Sequence, residues 1–590
     1  MIGIAASRHA KSPGMRLDPH SFADSDQPQT RSIDLSLRAD FAARVLEGEI
    51  VLRFRAPGGG PFDLDTRDLA LRSVMSLDGA PLRHQLSAPE PILGARLRVE
   101  LPPGTAGVRI RYATSPAATA LQWLDPSQTA GGEPFLYSQS QPIHARSLAP
   151  LQDTPRIRIT IRSARLTVPS RLRALMAAAA KGREPAEGDQ AVDVFEMPQS
   201  IPPYLLAFAV GDLARRDLSG RSAVWAERAV ADAAAWELAQ VEDMLGAAEQ
   251  LFGPYEWDRY DILVMPPSFP YGGMENPRLT FVTPSLLAGD RSLVNVIAHE
   301  IAHAWTGNLV TNASANDFWL NEGFTVYAER RILEALYGRE ASEMHATAGL
   351  HDLRTSLERF AARPELTRLR TDLRGIDPDE AYSTVPYEKG YLLLRQLEET
   401  AGRPAWDGFL REYLGTFRFQ SISTQDFLDF LESRLPGLAA RAGALELIDG
   451  PGLPAQAPTP RSARVEQLRR GEVEPANPTE LLVLLQGLDP ASADLRELDA
   501  RHGLSMRRSL ELRHTFVLLQ LRAGAPGAVE AARRVLLETG RMRYLRPLYT
   551  ELSRRHPEAA RAIYAEARGR YHAIARSVVE GLLKEHGALR

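Results

Sequence analysis

The sequence predicts a multidomain α+β protein. An N-terminal antiparallel β-sheet saddle or sandwich comes first, then a domain of strands followed by helices, then a C-terminal α-helical, repeat-like domain. Three observations carry this. Alternating apolar and polar residues crowd the first third, helical periodicity takes over in the middle, and a Pro/Gly run from Gly450 to Pro460 precedes a helical tail.

Length and composition set the frame. The chain has 590 residues, 44% hydrophobic and 24% charged, which suits several soluble cores. A formal net charge of -4 lacks the basic excess of a nucleic-acid binder. The absence of cysteine removes disulfides and thiolate metal ligands, so a metal site here must use His and carboxylates. No run of eighteen apolar residues occurs, and Ile2 to Ala6 is too short for a signal-peptide core, with Arg8 and Lys11 after it. The expectation is a cytoplasmic monomer with no nucleic-acid or membrane partner, opening on a flexible segment over 1–31.

The β domain is expected over 32–212. Glu49–Arg55, Leu97–Leu101, Val108–Tyr112 and Arg156–Ile161 largely alternate, as half-buried antiparallel strands do, and the Gly58-Gly59-Gly60-Pro61 run reads as a turn between them. Over 213–449 the pattern predicts a long helix from Arg228 to Phe252 and a strand from Arg259 to Met265. Helices follow over Asp290–Asn308, Asn321–Tyr337, Met344–Ala361 and Val385–Ala401. The 450–460 run is a linker, and 461–590 is helical, with Leu481, Leu482, Leu484, Leu485 and Leu488 at helical spacing.

The chemistry concentrates in His299-Glu300-Ile301-Ala302-His303. Imidazoles at i and i+4 share one helix face and can hold one metal, while Glu300 beside them can reach a water on that metal. A catalytic zinc needs a third protein ligand and an open position. Glu322, opening the next helix at Asn321-Glu322, is the candidate, with Glu329 one face further along as a support for the ligands. Upstream stands Tyr271-Gly272-Gly273-Met274-Glu275-Asn276. Its glycines allow a substrate backbone to approach a strand edge, and Glu275 offers a carboxylate to a free α-ammonium group.

These motifs together resemble the gluzincin aminopeptidases of peptidase family M1, in the branch containing leukotriene A4 hydrolase and aminopeptidase B. The resemblance continues through Tyr137–Gln141, Gln152–Pro155, Asp377–Gly390, Gly540–Arg543 and Arg546–Leu548. It implies a thermolysin-like catalytic domain and one Zn2+ on His299, His303 and Glu322. Glu300 becomes the general base and Tyr387 the donor to the oxyanion. It also implies a substrate pocket of Gln139, Gln141, Tyr271 to Glu275, Asp379 and Tyr382, with Asp379 favouring basic first residues. Arg541 and Arg543 become a fork for the carboxylate of short peptides. The implied reaction is hydrolysis of the first peptide bond. Epoxide hydrolysis of a lipid at the same zinc site, or a non-catalytic peptide-binding scaffold, are the alternatives.

Overall fold

The computed structural model describes residues 16–292 and 294–589. Of the expected flexible segment, residues 1–15 lie outside those described. Residues 16–31, by contrast, are packed. Asp18, His20 and Ser21 are buried, and Ser21 donates to Asp65 at 2.6 Å while Thr30 donates its backbone N–H to Gln152 at 2.9 Å. Asp18 and Ser21 find partners on the β domain, and His20 Nε2 meets the Ile376 carbonyl of the central part at 3.0 Å, which no local pattern reveals.

An eight-stranded sheet dominates the N-terminal part. Thr30–Asp40 pairs antiparallel with Val45–Thr66 and parallel with Ile159–Pro169, and Val45–Thr66 runs antiparallel to Ala95–Ala113. The glycine run at 58–60 is not a turn. It sits within the Val45–Thr66 strand, where the register slips on either side of Gly58, so the extra residues bulge and bend the strand instead of ending it. A smaller four-stranded sheet includes Phe135–Ser138, which delivers Tyr137 and leads into Gln139 and Gln141.

A five-stranded sheet follows, from Leu213–Asp217 to Leu279–Val282, with Gly273–Met274 as its edge strand. The single helix expected over 228–252 is two, Ala231–Glu237 and Val241–Phe252. The metal-motif helix is shorter than expected, Val294–Ala302, and it leads through tight turns to Gly307, at φ 120°. Its partner Trp319–Tyr337 packs against both it and the Gly390–Ala401 helix. The approach to the latter is close enough that a Cβ on Gly323 would lie 2.8 Å from the Gly390 Cα. Only glycine at both positions permits it.

One continuous apolar core runs through the β and central parts, while the C-terminal helices from Leu510 onward close around their own. Tyr271 packs against both. The 450–460 run is laid on the central part, where Lys389 Nζ donates to the Gly450 carbonyl at 2.7 Å. Among the described residues no helix is long and apolar enough to cross a membrane.

Candidate active site

The Val294–Ala302 helix and the turn after it aim His299 and His303 at the start of Trp319–Tyr337. The two Nε2 atoms stand 3.2 Å apart, and Glu322 Oε2 lies 3.3 Å from His299 Nε2 and 3.6 Å from His303 Nε2. Opposite ring nitrogens are held from behind. Glu329 sits 3.1 Å from His299 Nδ1, and the Thr306 carbonyl and Thr325 hydroxyl each lie 3.0 Å from His303 Nδ1. Such outer contacts fix ring orientation and leave Nε2 as the free donor.

Electrostatics ask for a cation. Burial, Glu275, Glu322 and Glu329 push the Glu300 carboxyl well above the usual range, although His299 opposes them, and burial with Glu322 raises Glu275 to about 8. Burial also pushes His303 down to about 4, keeping its imidazole neutral and able to ligate. His299 is held up against burial by Glu322 and Glu329. Glu322 Oε2 is buried with no hydrogen-bond donor. Two nitrogens and one carboxylate oxygen, all within 4.8 Å of one another, fit a tetrahedral zinc with one position left open.

Around this trio lies a cleft of about 750 Å³, lined from both the central and the C-terminal parts. The sequence-predicted pocket residues divide unevenly. Glu275 is buried, with Gln141 Nε2 at 3.3 Å and Asn321 Nδ2 at 3.5 Å from its Oε1, and Asn308 donates to its backbone carbonyl at 2.6 Å. Gln139 is not on that carboxylate. Its amide meets Met274 Sδ at 3.1 Å, beneath the edge strand. Gly273 gives the Glu300 carboxylate its space, for a Cβ there would overlap it. Tyr387 stacks on His299 with ring centroids 6.0 Å apart and holds its hydroxyl 3.4 Å from that of Tyr382. Tyr271 meets Tyr382 at a tilt, with ring centroids also 6.0 Å apart.

The two arginines from the C-terminal part part company. Backbone bonds from Gly540 to Pro267 and from Met542 to Pro270, at 2.7 and 2.8 Å, place Arg541 beside Gly272. There its Nη1 rests on Ser285 and Tyr544. Arg543 is instead bound between Glu511 at 3.1 Å and Asp352 at 3.0 Å. Both arginines of the expected fork line the cleft; among the described residues Arg541 makes no ion pair, whereas Arg543 makes two. Asp379 also has a partner that the sequence concealed: His144 Nε2 stands 2.8 Å from its Oδ2, with Thr119 on the other ring nitrogen at 2.9 Å.

A model of the peptidase family M1 domain matches residues 236–443, and one of the leukotriene A4 hydrolase C-terminal domain matches 477–583. Leukotriene A-4 hydrolase from Xenopus laevis is 37% identical over 575 residues, covering 91% of this chain and 93% of that protein. The chain belongs to peptidase family M1. Within it, leucine aminopeptidase 2 of Aspergillus niger is 35% identical across 95% of this chain and 97% of its own length. Yeast LTA4 hydrolase, solved with bestatin, superposes with a TM-score of 0.87 at 30% identity, covering 99% of this chain and 100% of the other. As a family M1 peptidase with this ligand set, the protein is a zinc-dependent metallo-aminopeptidase.

Residues that the sequence left unremarked complete the site. Asn308 and Thr325 flank motif residues closely in sequence, so proximity was their available signal. His144 lies 235 residues from Asp379 and gave none.

Proposed function

We propose that this M1 peptidase removes the first residue from short peptides with a free amino terminus, bound as extended strands along Gly272–Met274. One observation carries the reading. Glu275, Glu300 and His303 bring ligand atoms within 4.8 Å of one another, so an amine-binding carboxylate stands about one residue's length from the metal trio. A chain whose ammonium group sits on Glu275 presents its first carbonyl there and no other.

Zinc, when bound by His299, His303 and Glu322, lowers the pKa of water and polarises a carbonyl. Glu300, held beside them, takes the proton from the attacking water and later gives it to the leaving amine. Tyr387 donates its hydroxyl to the oxyanion from the Tyr382 side. Gln141 and Asn321 orient Glu275, while Gln139 supports Met274 beneath the bound backbone. Arg541 meets the far carboxylate of a short peptide. Asp379, through the oxygen that His144 leaves free, faces the first side chain with Tyr271 and Tyr382. The cleft is completed within one chain, which supports action as a monomer, and the cytoplasm is the proposed place of work; gel filtration with light scattering and cell fractionation test these.

The decisive assay compares a free tripeptide with its N-acetylated form, with and without a chelator. Release of the first residue from the free form alone, abolished by chelation, is expected. Equal cleavage of both would overturn the reading in favour of an endopeptidase. A lipid epoxide is a second reading because apolar side chains, among them Ala315, Phe318, Leu366, Leu369 and Leu373, also line the cleft. Conversion of a fatty epoxide to a diol by the same zinc-loaded enzyme tests it.

A further inference from the structure

The helix Met542–Arg555 carries a charge with no ion-pair partner among the described residues. Met542, Arg546 and Thr550 recur every four residues and so share one helix face, and all three line the cleft together with Arg554. Arg546 is half-buried, and its Nη2 is shut away with no hydrogen-bond partner. Among the described residues its guanidinium makes no ion pair. The acidic groups whose fields reach it are Asp379 and Glu585, both beyond ion-pair distance, and Asp379 already holds His144.

A second cation shares the cleft. Arg359 donates from Nη2 to the Tyr382 carbonyl at 2.7 Å, and its charge and that of Arg546 act against each other. Arg546 lines the cavity with its Nη2 shut from water and no bound carboxylate, which leaves its charge uncompensated, while Arg359 stands exposed on the same cleft. Planar guanidinium groups in that state suit a carboxylate, which each can meet with paired N–H donors.

We infer that Arg546 and Arg359 form a second anion subsite in this cleft, which takes a carboxylate of the bound peptide. The inference rests on the reading that the cleft binds peptides. It is distinct from the Arg541 position. Arg541 is oriented by Ser285 and Tyr544 against Gly272, and five residues of helix, a rise of about 7.5 Å, separate it from Arg546. That rise matches about two residues of extended chain. The carboxylate has two possible sources, an acidic first side chain or the terminal carboxylate of a longer peptide.

The test measures kcat/KM for two matched pairs, Glu-Ala-Ala against Gln-Ala-Ala, and Ala-Ala-Ala-Ala as free acid against its amide. The wild type should prefer the carboxylate member of one pair, and Arg546→Gln should cut that preference by about tenfold. A loss confined to the first pair assigns the side chain, and a loss confined to the second assigns the terminus. Arg359→Gln should lower the same ratio, which keeps the test open if Arg546→Gln does not fold. Cleavage of all four peptides with both ratios surviving both substitutions overturns the subsite and leaves the aminopeptidase reading standing. A zinc-loaded wild type that cleaves none of them overturns both.

Discussion

Gly273 and Glu300 share one space: the carboxylate of Glu300 lies where a side chain on Gly273 would begin. The edge strand and the metal-motif helix are thereby brought into direct contact at the residues proposed to bind the substrate backbone and to accept the proton. Gly273→Ala should cost about 100-fold in kcat/KM by displacing Glu300, since a small misplacement is expensive where geometry sets the rate. Zinc content, measured by atomic absorption, should stay at the wild-type level. An active Gly273→Ala enzyme would show that the carboxylate has room to move.

Glu300→Gln keeps the shape and removes the proposed base. Turnover should fall by about 10² to 10⁴, the range of a positioned general base, with the zinc still bound. Steady-state rates beside metal analysis decide it, and unimpaired turnover would remove Glu300 from the mechanism.

Tyr387→Phe should lower kcat by about 10² to 10³ with little change in KM, because the hydroxyl is assigned to a charge that develops only during reaction. A change confined to KM would place Tyr387 in ground-state binding instead.

Much of this site was legible because helical periodicity is local. His299 and His303 declare a shared face by their spacing, and Glu322 lies on the adjoining helix. The pairing of Asp379 with His144 was not legible, since it depends on how the β part seats against the central part. The ion pairs of Arg543 were not legible either, because Glu511 and Asp352 reach it from other helices. The glycine run at 58–60 misled for a different reason. Glycine marks both turns and bulges, and the pairing partner, here Ala95–Ala113, decides which.

Glu329 stands 3.1 Å behind His299, where it orients the ring. Glu329→Gln should weaken zinc binding by about 10- to 100-fold. Competition against a chromogenic chelator measures it, and unchanged affinity would reduce Glu329 to packing.

The C-terminal part should be acid-sensitive. Burial, aided by Arg543 and Arg541, pushes His514 down to about 4, while the same arginines overcome burial to pull Glu511 down to about 2. On unfolding, His514 returns toward its ordinary value of 6.5, so the unfolded chain takes up that proton first as pH falls. Stability present above pH 6.5 is then lost toward pH 4. Glu511 loses its contribution from about 4.5 toward 2, extending the slope. His514→Gln should flatten the dependence of Tm on pH between 6.5 and 4; an unaltered slope would place the acid sensitivity elsewhere.

The edge strand Gly273–Met274 pairs on one side only, leaving its other side to the cleft. A peptide that docks there must spend its own backbone groups on the pairing. A chain end already wound into a helix or tucked into a sheet has none to spare, and one with proline second lacks the N–H. If substrates bind along this strand as proposed, selection begins with conformation, before any side chain is read: loose ends and fragments are admitted, and folded termini pass untouched.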